Sequence, residues 1–190
     1  MQIMNWTEVE PAGGGAEKLP AGAYVLRITD ASDHTARSGN PYLTLVYDVA
    51  EGEHANHFAG ESRDYVHSFN RSYGGKSAPF FKSLLEAFEQ SNPGRFSIET
   101  WQRTCDERAL VGLTVGVLFR DRIYTNGKGR DVTVLDYVRP MSADEVRAGA
   151  WTVPPVKDDR DSTPGGGYTD APYGQQEQPP TSIYDADVPF

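Results

Sequence analysis

Residues 77–91 read SAPFFKSLLEAFEQS, and here the hydrophobic period of the chain changes. Phe80, Phe81, Leu84, Leu85 and Phe88 stand at i, i+1, i+4, i+5 and i+8, the apolar stripe of an amphipathic helix. Ser77 is placed to open it, Pro79 suits its first turn, and Asn92-Pro93-Gly94 ends it. Such a helix needs an apolar surface to cover. Upstream, residues 23–29 alternate, with Tyr24, Leu26 and Ile28 on one face and Arg27 and Thr29 on the other. Residues 42–49 repeat the pattern through Leu43, Leu45, Tyr47 and Val49, and Glu51-Gly52-Glu53 closes it. Residues 65–69 are rich in strand formers and predict a third strand. Downstream, Val111, Leu113, Val115, Val117 and Phe119 alternate again. Asn126-Gly127 predicts a tight hairpin into a strand opened by Val132, Val134 and Leu135 and ending near Arg139-Pro140. Ser142 to Glu145 matches the capping box S-x-x-E, predicting a short helix through Arg147 that ends at Gly149.

Three strands, a helix and two strands predict a mainly β domain over residues 20–156, a five-stranded OB-fold-like barrel with the helix between strands three and four plugging one end. Closing the sheet would also remove the exposed edges. An open antiparallel sheet with a helix on one face gives the same pattern. Residues 1–19 read as an N-terminal extension. Residues 157–190, rich in Gly, Pro, Gln and Asp and poor in aliphatics, bury too little to offset the entropy of ordering and read as a disordered acidic tail.

With 190 residues the chain fits one domain plus these extras. No window approaches ~18 uninterrupted apolar residues, and the start MQIMNWTEVE lacks the basic-then-apolar order of a secretory leader, so no membrane partner and a cytoplasmic location are expected. The single cysteine, Cys105, excludes an internal disulfide framework and any zinc site built from several thiolates.

The net charge of −9 argues at first against a nucleic-acid partner, but the charge is unevenly placed. Residues 157–190 carry −5 and residues 1–61 carry −6, whereas residues 62–130 carry +4. The locally basic middle also holds aromatics. Single-strand binding combines cations for the phosphates with π faces for the bases. One cluster has both: Arg63, Tyr65, His67, Phe69, Arg71, Tyr73 and Lys76, with Tyr65, His67 and Phe69 on one face by the strand period. A second, Arg120, Arg122, Tyr124, Lys128 and Arg130, surrounds the last hairpin, which in an OB-fold borders the nucleic-acid groove. Arg27, Arg37 and Tyr42 are further groove candidates, while Tyr24 and Tyr47 read as core.

The terminal run Tyr184-Asp185-Ala186-Asp187-Val188-Pro189-Phe190 resembles the acidic tip of bacterial and phage single-stranded-DNA-binding proteins, which ends in aspartates, a branched aliphatic, proline and phenylalanine. Ala186 replaces an acid of that pattern and Val188 an isoleucine. The body is similar to phage-encoded proteins of this class through GAYVLRITDAS, SGNPYLTLVYDVAEGE, APFFKSLLEAFEQSNPG and RAGAWTVPP, within residues 20–155. The resemblance implies a protein that coats and protects single-stranded DNA during phage replication or recombination in the host cytoplasm. It implies recruitment of replication or recombination proteins through Tyr184, Asp185, Asp187, Val188, Pro189 and Phe190. The tip also has its own physical logic, since a terminal phenylalanine joins a ring to a free carboxylate, matching an apolar slot ringed by Arg or Lys. The alternative reading is a protein-interaction adaptor without direct DNA contact; oligomerisation is compatible with either.

Enzymatic readings find no support in the residues. G-x-x-x-x-G-K-S/T is absent, and Gly13 to Gly15 read as a flexible segment. His54 and His57 have H-x-x-H spacing without the helical H-E-x-x-H context of a zinc site, and Cys105 has no recognisable histidine partner motif. A non-enzymatic protein without metal or cofactor is expected.

Overall fold

The computed structural model describes residues 18–160. Its strands are β1 (Ala23–Thr35), β2 (Pro41–Val49), β3 (Ser68–Ser72), β4 (Thr114–Thr125), β5 (Asp131–Met141) and the two-residue β6 (Lys157–Asp158). The helices are α1 (Ala78–Ser91), the single turn α2 (Ile98–Trp101) and α3 (Ala143–Arg147). The sheet order is β3-β2-β1-β4-β5, antiparallel throughout, and β6 lies parallel to β4. The fold is mainly β in the expected OB-like order, with α1 between β3 and β4.

The sheet is not closed. Among the described residues β3 pairs only with β2, and it meets β5 through side chains: the Phe69 and Tyr137 rings stand 5.1 Å apart, and the Arg71 guanidinium carbon lies 3.0 Å from the Tyr137 ring centre. All five residues of β3 are spent on β2, and these bulky groups fill the seam where a backbone ladder would run. The interior holds Leu26, Ile28, Leu45, Tyr47, Val49, Val115, Val117 and Phe119 from the strands. Phe81, Leu84, Leu85 and Phe88 of α1 cover them, the buried part of the predicted stripe, while Phe80 stays 47% exposed. Leu19 is 1% exposed, so the folded body begins before the expected boundary at residue 20.

β1 is six residues longer than its alternation predicts. The register slips between Ile28 and Asp30, a bulge that shifts the inward phase by one, so Ala31 follows Ile28 into the core. β3 starts three residues later than expected, because residues 64–66 form a 3-10 turn. Asn126-Gly127 does not form a two-residue turn. The Asn126 N–H donates to the Arg130 carbonyl at 2.9 Å and Gly129 takes φ +70°, a three-residue loop with its glycine in the left-handed region. The β1–β2 connection repeats that geometry, Ala36 N–H to Asn40 carbonyl at 2.9 Å with Gly39 at φ +84°.

The capping box at Ser142 forms as predicted, with Ser142 Oγ accepting from the Glu145 N–H (3.2 Å) and Glu145 accepting from the Ser142 N–H (2.7 Å). It seats α3 over a second small core of Ala23, Leu118 and Met141, flanked by Val146 and Trp151. Gly116 permits that approach, since a Cβ there would stand 2.7 Å from the Met141 and Ser142 carbonyls. Beyond Trp151 the chain returns to the sheet. Lys157–Asp158 pair with β4, which corrects the start of the tail: residues 157–160 belong to the folded body because Arg122 and Ile123 of β4 hold them. The rest of the expected tail and residues 1–17 lie outside the described residues. Among the described residues no helix is long and apolar enough to cross a membrane.

Candidate nucleic-acid interface

Pairing register defines two arms. β4 pairs with β1 only over residues 23–27, so the far half of β1 continues with β2 and β3 alone, and the far half of β4 continues with β5 and β6. Because β1 and β4 are antiparallel, the arms leave the shared segment at opposite ends. Their tips are the twin three-residue loops, which carry Arg37 on one side and Lys128 and Arg130 on the other. All three are exposed, and among the described residues none has a carboxylate within ion-pair distance. At the second tip, Asn126 Oδ1 accepts from the Lys128 and Arg130 N–H groups (both 3.0 Å), which fixes the loop that presents them.

The first arm carries the outer face of β1, β2 and β3. Leu43, Leu45 and Phe69 point into the core, so their alternates Tyr42, Thr44, Asn70 and Ser72 point out, joined by the partners Ser32 and His34. His34 and Tyr42 are a cross-strand pair with ring centres 5.2 Å apart and planes 25° from parallel. Thr44 Oγ1 donates to Asn70 Oδ1 at 2.7 Å. The face thus offers an aromatic platform with small polar side chains beside it.

The predicted residues divide. His67 and Phe69 share a face, as the period predicts, but it is the inner one: they are 6% and 8% exposed, His67 stacks on Phe58 (4.9 Å, 16°), and Phe69 packs on Tyr47 and Tyr137. Tyr65 sits on the 3-10 turn, 68% exposed, and does not share their strand. Arg71 points inward with them. Its charge lies over Tyr137, its Nε is buried with no hydrogen-bond partner among the described residues, and burial lowers its pKa to about 10, so it stays protonated at neutral pH. Tyr73 is tied down by donating to Asp33 (2.7 Å) and packs on Phe81; burial first, then the Asp33 hydrogen bond, raises its pKa to about 12. These inward orientations have one cause: β3 reads S-F-N-R-S, and the apolar ring of Phe69 decides which face is core.

Several predicted cations are already partnered. Arg63 is gripped by Glu61 through Nε (2.8 Å) and Nη2 (2.6 Å), which raises its pKa further. Arg120 pairs with Asp136 at 2.9 Å and Arg122 with Asp159 at 2.6 Å; Tyr124 lies beside Arg122. Lys76, Lys128 and Arg130 are exposed, and none of them has such a partner among the described residues. Arg27 donates to Asn56 (3.0 Å) and is taken up there, and Tyr42 alone of the further candidates lies on the outer face. Tyr47 is core as expected, and Tyr24 is half-buried, donating to the Pro20 carbonyl (2.7 Å). His34 was missed because the bulge breaks the alternation ahead of it; a shift of phase at Thr29, with small residues following, is the signal that would have found it.

Residues 18–160 carry all 18 Lys and Arg and 19 of the 27 Asp and Glu, so the described body has a net charge of −1 and the other residues carry −8. The His54 and His57 rings meet edge to face at 5.9 Å, and among the described residues no three metal-ligating side chains converge. Tyr184, Asp185, Asp187, Val188, Pro189 and Phe190 lie outside the described residues. Residues 7–128 match a family model whose description is protein of unknown function (DUF669). No curated protein matches the chain.

Proposed function

The chain belongs to the DUF669 family, and from that premise we propose that it binds single-stranded DNA, coating and protecting it during phage replication or recombination. The observation that carries this reading is the His34–Tyr42 platform on the outer face of β1–β3, together with the exposed cations Arg37, Lys128 and Arg130 at the tips of the two arms. Stacking tolerates any base and the tip cations meet phosphates, so the combination suits sequence-independent binding. The near-neutral body removes the objection raised by the overall charge of −9.

The test is a titration with oligo-dT and with duplex of the same length at two salt concentrations. Oligo-dT is expected to bind more tightly. Each single-strand phosphate contact adds roughly 0.7 to the slope of log affinity against log salt. Replacing Arg37, Lys128 and Arg130 together by alanine should therefore flatten the slope by about 2. Absence of oligo-dT binding at low salt would leave the adaptor reading in its place.

The terminal run adds recruitment to this proposal. Removing Val188, Pro189 and Phe190 is expected to abolish capture of replication or recombination enzymes while leaving oligo-dT affinity intact. Pull-downs and titrations on the same shortened chain read both, and undiminished capture would rule the tip out.

A further inference from the structure

Arg122 and Lys157 share one carboxylate. Asp159 Oδ2 lies 2.6 Å from Arg122 Nε and 3.3 Å from Lys157 Nζ, so two cations meet a single anion on the arm built of β4, β5 and β6. The Asp159 side chain is 17% exposed and those of Arg122 and Lys157 are 26% and 32%, which leaves the group reachable from solvent. The Tyr124 ring stands beside it, its centre 5.7 Å from the Arg122 guanidinium carbon. Two cations, one aromatic and a monovalent acid between them make a set that a phosphate could occupy in place of the acid, since guanidinium binds carboxylate and phosphate with the same fork.

The acid is held weakly by its own chain. Lys157 and Asp158 are the whole of β6, paired to β4 at Arg122 and Ile123, and one more bond runs from the Asp159 N–H to the Ile123 carbonyl (2.8 Å). Among the described residues, no backbone hydrogen bond outside that short ladder ties residues 152–156 to the sheet, and Pro154 and Pro155 have no N–H to give. A two-residue edge strand of this kind opens at little cost relative to the core.

We propose that Arg122 and Lys157 form a backbone-phosphate site of the single strand and that Asp159 keeps it shut until nucleic acid displaces the carboxylate. The assignment of the phosphate to DNA rests on the function proposed above; the site itself does not. Asp159→Asn removes the competing charge and keeps the N–H to Ile123. In the full chain it is expected to bind oligo-dT roughly fivefold more tightly or better, with a salt slope steeper by about 0.7. Arg122→Gln added to Asp159→Asn should cancel the gain. Asp159→Ser serves as a second neutral variant, and thermal melts identify which variants are folded.

Inorganic polyphosphate, titrated in parallel, separates the two ideas. If no variant binds oligo-dT but Asp159→Asn gains affinity for polyphosphate, the single-strand reading falls and the phosphate site stands. A folded Asp159→Asn or Asp159→Ser protein with no gain for either probe overturns the site, and a lowered melting point without that gain identifies Asp159 as a structural partner only.

Discussion

Replacing Asn92 by alanine is expected to lower the stability of the folded body by about 2–4 kcal/mol. Asn92 is 4% exposed and every arm of its amide is engaged. Nδ2 donates to the Phe88 and Thr114 carbonyls, both at 2.7 Å, while Oδ1 accepts from the Thr114 N–H (3.0 Å) and hydroxyl (3.2 Å). The side chain therefore ends α1 and at the same time fastens that end to the first residue of β4. Truncation leaves the Thr114 N–H and two carbonyls in a place water reaches poorly, and an unmet buried polar group costs about 1–3 kcal/mol. A fall of roughly 10 °C in the thermal midpoint is the corresponding readout. Asn92→Asp sharpens the test. It keeps the acceptor but turns an oxygen toward two carbonyls, so it should destabilise at least as much as alanine despite its matching shape. If Asn92→Asp melts with the parent protein, the amide is not the fastening.

The same residue shows how far the sequence could be read. Asn92-Pro93-Gly94 announces the end of a helix, but nothing local says that the asparagine also grips Thr114, 22 residues away. Elements set by local chemistry were legible: the α1 stripe, β2, and the Ser142 box all lie where their patterns put them. Elements set by pairing were not. The bulge after Ile28 changes the phase of β1 and hides its far half, and the 3-10 turn at Asp64–Val66 delays β3. The candidate site is the least legible part, because residue type alone does not separate a core ring from a surface one. Phe69 and His67 are rings spent on the core, and Arg71, a cation expected at the surface, is spent on the seam with Tyr137. Of the outer face only Tyr42 stands out in the sequence; the rest is small or isolated, and only cross-strand register brings His34 to Tyr42.

That register leads to the largest expected effect on binding. Tyr42→Ala should weaken oligo-dT affinity by about 1–3 kcal/mol, or roughly 5- to 150-fold, the worth of one base stacked on an aromatic ring. The platform is shared, so His34→Ala should weaken binding less, and the double variant should lose less than the sum because each ring supports the other. Neither change should matter much to folding. Both residues lie outside the buried core, whereas Phe69→Ala, at a site 8% exposed, should cost about 3–5 kcal/mol of stability. Binding and stability are therefore expected to separate: the outer pair loses affinity with little change in melting, and the inner ring loses melting temperature first. Tyr42→Phe discriminates within the outer pair. It keeps the π face and removes the hydroxyl, so near-parental affinity is expected if bases stack there. Parental affinity in a folded Tyr42→Ala protein would mean that nucleic acid does not cross this face, and the tip cations alone could not then account for a preference for single strands over duplex.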